Sequence, residues 1–131
     1  MTKQHYGFGC TLPDAMGEAV RKTTEALKTE GFGVLTTIDV QATLKAKLGI
    51  DRPPYVILGA CNPPIAHKAL EIDLGIGVLM PCNVDVFVGE DGATYVQAIR
   101  GEAMMCLVDS PAIKPIAREI DAKLVRVLEK I

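Results

Sequence analysis

Two hydrophobic periodicities alternate along the chain, one typical of strands and one typical of helices. Apolar residues at every second position, or in short continuous runs rich in β-branched side chains, predict strands. These predicted strands span residues 5–12, 32–38, 55–60, 78–88 and 94–99. The last two are separated by the turn sequence at 89–92, which predicts an antiparallel hairpin.

Apolar residues at helical spacing occupy the intervals between these strands and the end of the chain. Thr11 is expected to cap a first helix that Gly31 ends, and Asp39 to cap a short helix that Gly49 closes. Asn62 opens a third helix. The strongest pattern covers 111–131, where one stripe contains Ile113, Ile116, Ala117, Ile120, Leu124, Val127, Leu128 and Ile131.

The resulting order, β-α-β-α-β-α-β-β-α, predicts an α+β protein. We expect a two-layer α/β sandwich with a mixed sheet of about five strands and with helices mainly on one face. The segment 101–108 fits either a further short strand or an irregular loop. No linker, repeat or low-complexity stretch divides residues 1–131, so we expect a single domain.

Composition excludes several classes of partner. The 131 residues are 49% hydrophobic and carry a net charge of −2 without a basic cluster, which argues against nucleic-acid binding. No apolar run approaches the length of a membrane span. Residues 1–6 are not followed by the apolar run of a signal peptide. We therefore expect a cytoplasmic protein whose four cysteines are reduced.

Several short blocks between residues 31 and 99 resemble a known family. They are Gly31–Val34, Ile38–Val40, Tyr55–Pro63, Ala66–Leu70 with Asp73, and Gly77–Val84. In order and spacing these blocks are similar to the domain-of-unknown-function 302 family. The resemblance implies a compact α/β domain, and it brings no reaction, catalytic residue or cofactor with it.

Two cysteines are the main candidates for chemistry. Cys61 lies between a predicted strand and the next helix, where free backbone N–H groups and the helix dipole favour a thiolate. Cys82 follows Pro81 at the start of another strand. If the two strands are neighbours, the thiols could hold a soft metal or form a disulfide. The alternative is two unrelated cysteines that fill the core.

The residues around the two cysteines complete the candidate ligand-binding set, which is Cys61, Asn62, His67, Asp73, Cys82 and Asn83. His67 could be a third metal ligand or a base for Cys61. Its alternative is a solvent-exposed pair with Glu71 one helical turn away. Asp73 could instead cap the turn at 75–77.

Two further features leave alternatives open. Met104, Met105 and Cys106 loosely resemble a soft-metal cluster, and an edge strand or a dimer contact is the other interpretation. Asp85 alternates with apolar neighbours, so its carboxyl group lies either on an exposed sheet face or on the floor of a cleft.

Three functions fit these residues. The first is an accessory domain that binds a small ligand or a soft metal near Cys61 and Cys82, and we expect it to be a homodimer. The second is a dimeric interaction protein without catalysis, which associates through exposed strand edges and the 101–108 segment. The third is a thiol-dependent redox protein or enzyme with Cys61 as nucleophile, assisted by His67 or Cys82.

Overall fold

The computed structural model describes residues 1–131, which form six strands, five α-helices and one 3-10 helix. The strands are β1 (Thr2–Lys3), β2 (Gly7–Leu12), β3 (Gly33–Asp39), β4 (Tyr55–Cys61), β5 (Cys82–Val88) and β6 (Thr94–Ile99). The helices are α1 (Met16–Thr29), α2 (Val40–Leu48), α3 (Pro63–Ile72), α4 (Gly101–Met105) and α5 (Ile113–Glu129), and the 3-10 helix is Leu74–Leu79. No helix combines the length and the apolar character that crossing a membrane requires.

The six strands form one open sheet in the order β1-β2-β6-β5-β4-β3, and every neighbouring pair is antiparallel. The α+β class is confirmed, but the mixed sheet of about five strands is wrong in detail. The connection through α2 begins and ends at one end of the sheet, and the connection through α3 begins and ends at the other. Strand β4 is therefore antiparallel to both β3 and β5. The extra strand, β1, has only two residues and is too short to show a periodicity.

The core lies on one face of the sheet. Register places Leu58 opposite Val84, and Val86 opposite Val96, so that these inward side chains form continuous rows across the central strands. Helices α1 and α5 contact this side of the sheet, and α3 adds Ile65 to the same core. The predicted stripe of the last helix is confirmed, because seven of its apolar residues are buried.

The segment 101–108 is neither a strand nor an irregular loop, since it begins with α4. The carboxylate of Asp121 on α5 accepts hydrogen bonds from the backbone N–H groups of Gly101 and Glu102. These are N–H groups that a helix start leaves without intrahelical partners. Because the cap comes from another helix, the local sequence does not reveal it.

The predicted caps are partly confirmed. Asp39 caps α2 by accepting a hydrogen bond from the N–H of Ala42 at 2.9 Å, and Gly49 closes that helix with a φ of 67°. Thr11 does not cap α1. Its backbone pairs with Tyr95 in the sheet, and the helix begins only at Met16.

A long segment of the chain has no buried residue. Between Phe32 and Leu58, every residue of β3, α2 and the following loop is at least partly exposed. Leu35 and Ile38 on β3 are 70% and 48% exposed, and β3 is an edge of the sheet. We call this strand and helix, residues 33–48, the β3–α2 arm.

Candidate functional site

A small cavity of about 30 Å³ lies where the ends of β4 and β5 meet α3, α4 and α5. Eleven of its thirteen lining residues are hydrophobic. Five of the thirteen contain sulfur, namely Cys61, Met80, Cys82, Met104 and Met105. We call these five residues the sulfur cluster.

The sulfur cluster is assembled from three parts of the chain. Cys82 begins β5 next to Met80, which follows the 3-10 helix. Met104 and Met105 come from α4, and Asp121 fixes the start of that helix against α5. Met105 is buried and Met104 packs against the core. The position of α4 therefore decides whether the two thioethers reach the cavity.

The two candidate cysteines reach the same end of the sheet on different faces. Register pairs Cys82 with Ala60 rather than with Cys61. Successive side chains of a strand alternate between faces, so the Cβ of Cys61 is directed away from the face that holds Ala60 and Cys82. Consistent with this, Cys82 packs against the buried core and Cys61 does not.

The Cys82 thiol is protonated at neutral pH. Burial raises its pKa to about 11, and the neighbouring Cys61 and Asp121 raise it further in the same direction. A thiol is a much poorer nucleophile than a thiolate. Cys82 is therefore unsuited to act as a spontaneous nucleophile, although a metal ion can still displace its proton.

His67 does not join the cysteines. Its Nε2 lies 2.6 Å from a carboxylate oxygen of Glu71, and its side chain is 75% exposed. On α3 the inward positions are Ile65 and Ala69, which place His67 on the outer side. No three His, Cys, Asp or Glu side chains come together in a metal-binding arrangement, so the predicted set of Cys61, Cys82 and His67 is not assembled.

The other predicted ligands have separate places. Asn62 is 8% exposed and donates a hydrogen bond to the carbonyl of Glu30 at 3.1 Å, which joins the start of α3 to the end of α1. Asp73 accepts a hydrogen bond from the N–H of Gly75 at 2.9 Å and caps the 3-10 helix. Only Asn62 among these lines the sulfur-rich cavity. Asn83 lies exposed on the opposite sheet face.

That opposite face carries a second cleft, of about 270 Å³. Its polar lining side chains are those of Tyr6, Tyr55, Asn83, Asp85 and Gln97. The Tyr55 hydroxyl donates a hydrogen bond to Asp85 Oδ2 at 2.8 Å, across the β4–β5 pair. Burial raises the pKa of the Asp85 carboxyl, while the Tyr55 hydrogen bond opposes that rise. Burial, followed by the bond to Asp85, raises the pKa of Tyr55 to about 12.

A wider groove of about 520 Å³ runs between α4 and α5. Its charged lining residues are Glu102, Asp109, Lys114 and Arg118, which carry both signs of charge, and Arg118 already pairs with Glu102 at 3.8 Å. Size alone therefore does not make it the better candidate. The sulfur-lined cavity is much smaller, but its lining groups share one kind of chemistry.

The sequence identified Cys61 and Cys82, and it indicated Met104, Met105 and Cys106 as a loose soft-metal cluster. It did not join Met104 and Met105 to Cys82, it did not indicate Met80, and Cys106 does not line the cavity. The adjacent methionines of α4 were a visible signal. Their approach to Cys82 depends on the α4–α5 contact, which the local pattern does not contain. The Tyr55–Asp85 pair was missed for a similar reason, because it depends on the register of two strands.

An open antiparallel sheet with helices packed on its inner face defines the class of this protein as α+β. The family model described as "Domain of unknown function DUF302" matches residues 8–131, and the chain belongs to that family. The match is longer than the 31–99 segment that carries the resemblance in the sequence. No curated protein matches the chain.

The chain is also similar to a solved structure. The crystal structure of the uncharacterized conserved DUF302 protein from Bacillus stearothermophilus superposes with a TM-score of 0.87 at 32% sequence identity. The match covers 95% of this chain and 96% of the other.

Proposed function

We propose that this protein binds a soft, thiophilic ligand in the cavity lined by the sulfur cluster, with Cu(I) as the representative ion. The observation that carries the proposal is the convergence of Cys82 and three methionines on one cavity of about 30 Å³, which Cys61 also lines. Thiolate and thioether ligands select Cu(I) over hard cations such as Mg²⁺ and Ca²⁺.

The size and lining of the cavity agree with a single small ion. One water molecule needs about 10–15 Å³ of cavity volume, so the space accepts an ion but not a drug-sized molecule. The lining has almost no oxygen or nitrogen ligand, since eleven of its thirteen residues are hydrophobic. An oxygen-seeking cation would lose its hydration there without replacement.

Cys82 supplies the charge in this proposal. Its thiol is protonated until an ion displaces the proton, because its pKa lies at about 11. Only an ion with a strong preference for sulfur can offset that cost of deprotonation. The thioethers of Met104 and Met105 then complete the coordination without a charge of their own, and Cys61 stands at the edge of the site.

A competition titration tests this function. Reduced protein is titrated anaerobically with Cu(I) against a chromophoric Cu(I) chelator, for the wild type, Cys82→Ser and Cys106→Ser. Cys106 is a matched control because it is exposed and does not line the cavity. We expect one ion per chain for the wild type and the control, and affinity at least about tenfold weaker for Cys82→Ser. Equal affinity of all three proteins would contradict the proposal.

Homodimerisation is the second candidate, and the β3–α2 arm favours it. β3 ends the sheet with one side of its backbone unpaired, and Leu35 and Ile38 are exposed on it. Natural proteins protect such edges with Lys, Pro or a covering segment, and residues 33–39 contain neither Lys nor Pro. Two copies that pair β3 with β3 would form an isologous, two-fold interface.

The size of the arm agrees with a dimer contact. Its sixteen residues, 33–48, contribute most of the 20–30 residues that a standard interface needs on each side. Light scattering at micromolar concentration tests the idea with Ile38→Lys and with Leu74→Lys, an exposed apolar residue outside the arm. We expect a dimer for the wild type and the control and a monomer for Ile38→Lys. A monomeric wild type contradicts this candidate without affecting the ion site.

A further inference from the structure

We infer that the cleft on the outer face of the sheet is a second binding site, which takes a small organic cation such as a primary ammonium. The juxtaposition that carries the inference is a carboxylate without a basic partner, Asp85, in one cleft with the amide side chains of Asn83 and Gln97. This site lies on the sheet face opposite to Cys82 and is independent of the proposed ion site.

Asp85 lies at the centre of the outer face. It occupies the middle of β5, opposite Ile57 on β4 and Gln97 on β6. The surrounding side chains leave its carboxyl group half-buried at the floor of the cleft. Strand alternation allowed Asp85 either on an exposed sheet face or on the floor of a cleft, and in the structure it lies on the floor of a cleft in the outer sheet face.

The charge of Asp85 has no basic partner. Asp85 takes part in none of the nine ion pairs of the protein. Its hydrogen bond from the Tyr55 hydroxyl uses Oδ2 and leaves Oδ1 without a partner. Arg52 lies 5.2 Å from the centroid of the Tyr55 ring, but its Nε donates to the carbonyl of Pro53. A nearby positive charge stabilises a half-buried carboxylate more than an exposed one, because water screens the half-buried charge less.

The neighbouring amide side chains place acceptors beside the carboxylate. The Gln97 amide nitrogen donates one of its two N–H groups to Gln4 Oε1 at 2.6 Å, and the Gln97 amide oxygen accepts no hydrogen bond from the protein. An ammonium group has three donors and no acceptor, which fits Asp85 Oδ1 together with amide oxygens. The rings of Tyr6 and Tyr55 line the same cleft, and aromatic rings also attract cations.

Glycine makes room for the ligand beside these acceptors. Gly7 on β2 lies in the outer row next to Ile99 of β6 and lines the cleft. A Cβ at Gly7 would approach the Gln97 amide nitrogen to 3.0 Å. The cleft volume of about 270 Å³ is just below the usual range for drug-sized ligands, so the expected cation has only a few carbon atoms.

Titrations with n-butylammonium and with butyrate test the site, followed by backbone amide chemical shifts. These probes have the same chain length and opposite charge. We expect n-butylammonium to shift amide signals around residues 85 and 97, and butyrate to leave them unchanged. Equal responses to both probes, or no response to n-butylammonium, would overturn the inference even without any variant.

Variants then assign the binding to the carboxylate. We expect Asp85→Asn to weaken n-butylammonium binding by at least about tenfold, as loss of a charge-assisted hydrogen bond predicts. Asp109→Asn, at an exposed position outside this cleft, is the matched control and should bind like the wild type. Wild-type affinity in Asp85→Asn would overturn the inference.

Discussion

Cys82 lies opposite Ala60, and not opposite Cys61, in the β4–β5 pair. This offset of one residue decides the chemistry of the site, because it directs the two cysteine side chains to different faces of the sheet. Cys82 is left with Met80, Met104 and Met105 around the cavity. A soft ion in this cavity would therefore meet one thiol and several thioethers rather than a pair of thiols.

The first prediction concerns the pH dependence of Cu(I) binding. Because the pKa of Cys82 is about 11, its thiol is protonated throughout the range near neutral pH. Each bound ion must release that proton, so affinity should rise about tenfold per pH unit between roughly pH 6 and 9. Competition titrations at several pH values measure this slope. In Cys82→Ser the contribution of this proton should disappear, and an unchanged slope would show that another group is the ligand.

The second prediction concerns the methionines. Met105→Leu should weaken Cu(I) binding by about tenfold, while the free energy of unfolding changes by less than about 1.5 kcal/mol, because Leu and Met have similar volumes. Met16→Leu is the matched control, since Met16 packs against the core but does not line the cavity. If both variants bind Cu(I) like the wild type, the thioether of Met105 is not a ligand.

The third prediction concerns the β3–β4 contact. A Cβ at Gly59 would collide with Thr36 Oγ1 and would lie 3.0 Å from Pro81, so Gly59→Ala should destabilise the protein by about 1–3 kcal/mol. Gly17 has no atom within 4 Å of an added Cβ and lies in α1. Gly17→Ala should therefore stabilise by about 0.5–1 kcal/mol. Urea unfolding measures both changes, and equal signs would contradict the packing described at Gly59.

The fourth prediction concerns acid stability. Glu30 accepts hydrogen bonds from Lys130 at 2.6 Å and from Arg126 at 2.9 Å, and these bonds lower the pKa of its carboxyl from the ordinary value of 4.5. The folded state thus favours ionised Glu30. The stabilisation that Glu30 contributes is complete when the pH is above the ordinary pKa of its carboxyl. It is lost as the pH falls through the lowered pKa of the folded state.

Unfolding measured from roughly pH 5 to pH 3 should therefore show a smaller loss of stability for Glu30→Gln than for the wild type. The difference should shrink in high salt, since all three groups are near the surface. Glu25→Gln is the control, because Glu25 pairs only with Lys28 on its own helix. Parallel pH profiles for the wild type and Glu30→Gln would contradict the role of this link between α1 and α5.

Local periodicity predicted most elements of the fold. The β6 strand and the buried stripe of α5 follow from the apolar spacing within each segment, which is a local property. The order of strands in the sheet does not follow in this way. The alternation of strands and helices suggested a mixed sheet, and only the three-dimensional structure shows that α2 and α3 each return at the end of the sheet from which they left.

The site was predicted only in part for the same reason. Cys82 is recognisable beside Pro81, but its neighbours depend on the register of β4 and β5 and on the contact of Asp121 with the start of α4. That contact joins residues twenty positions apart. His67 illustrates the opposite error, since helical spacing from Glu71 already indicated the exposed pair that the structure contains.

The copper K-edge X-ray absorption spectrum of the Cu(I)-loaded protein identifies the atoms bound to the ion, and so distinguishes sulfur coordination from coordination by nitrogen or oxygen. We expect a first coordination sphere made only of sulfur, with fewer sulfur neighbours in Cys82→Ser. Nitrogen or oxygen neighbours in the wild-type protein, or a sphere that does not change in Cys82→Ser, would contradict the proposal.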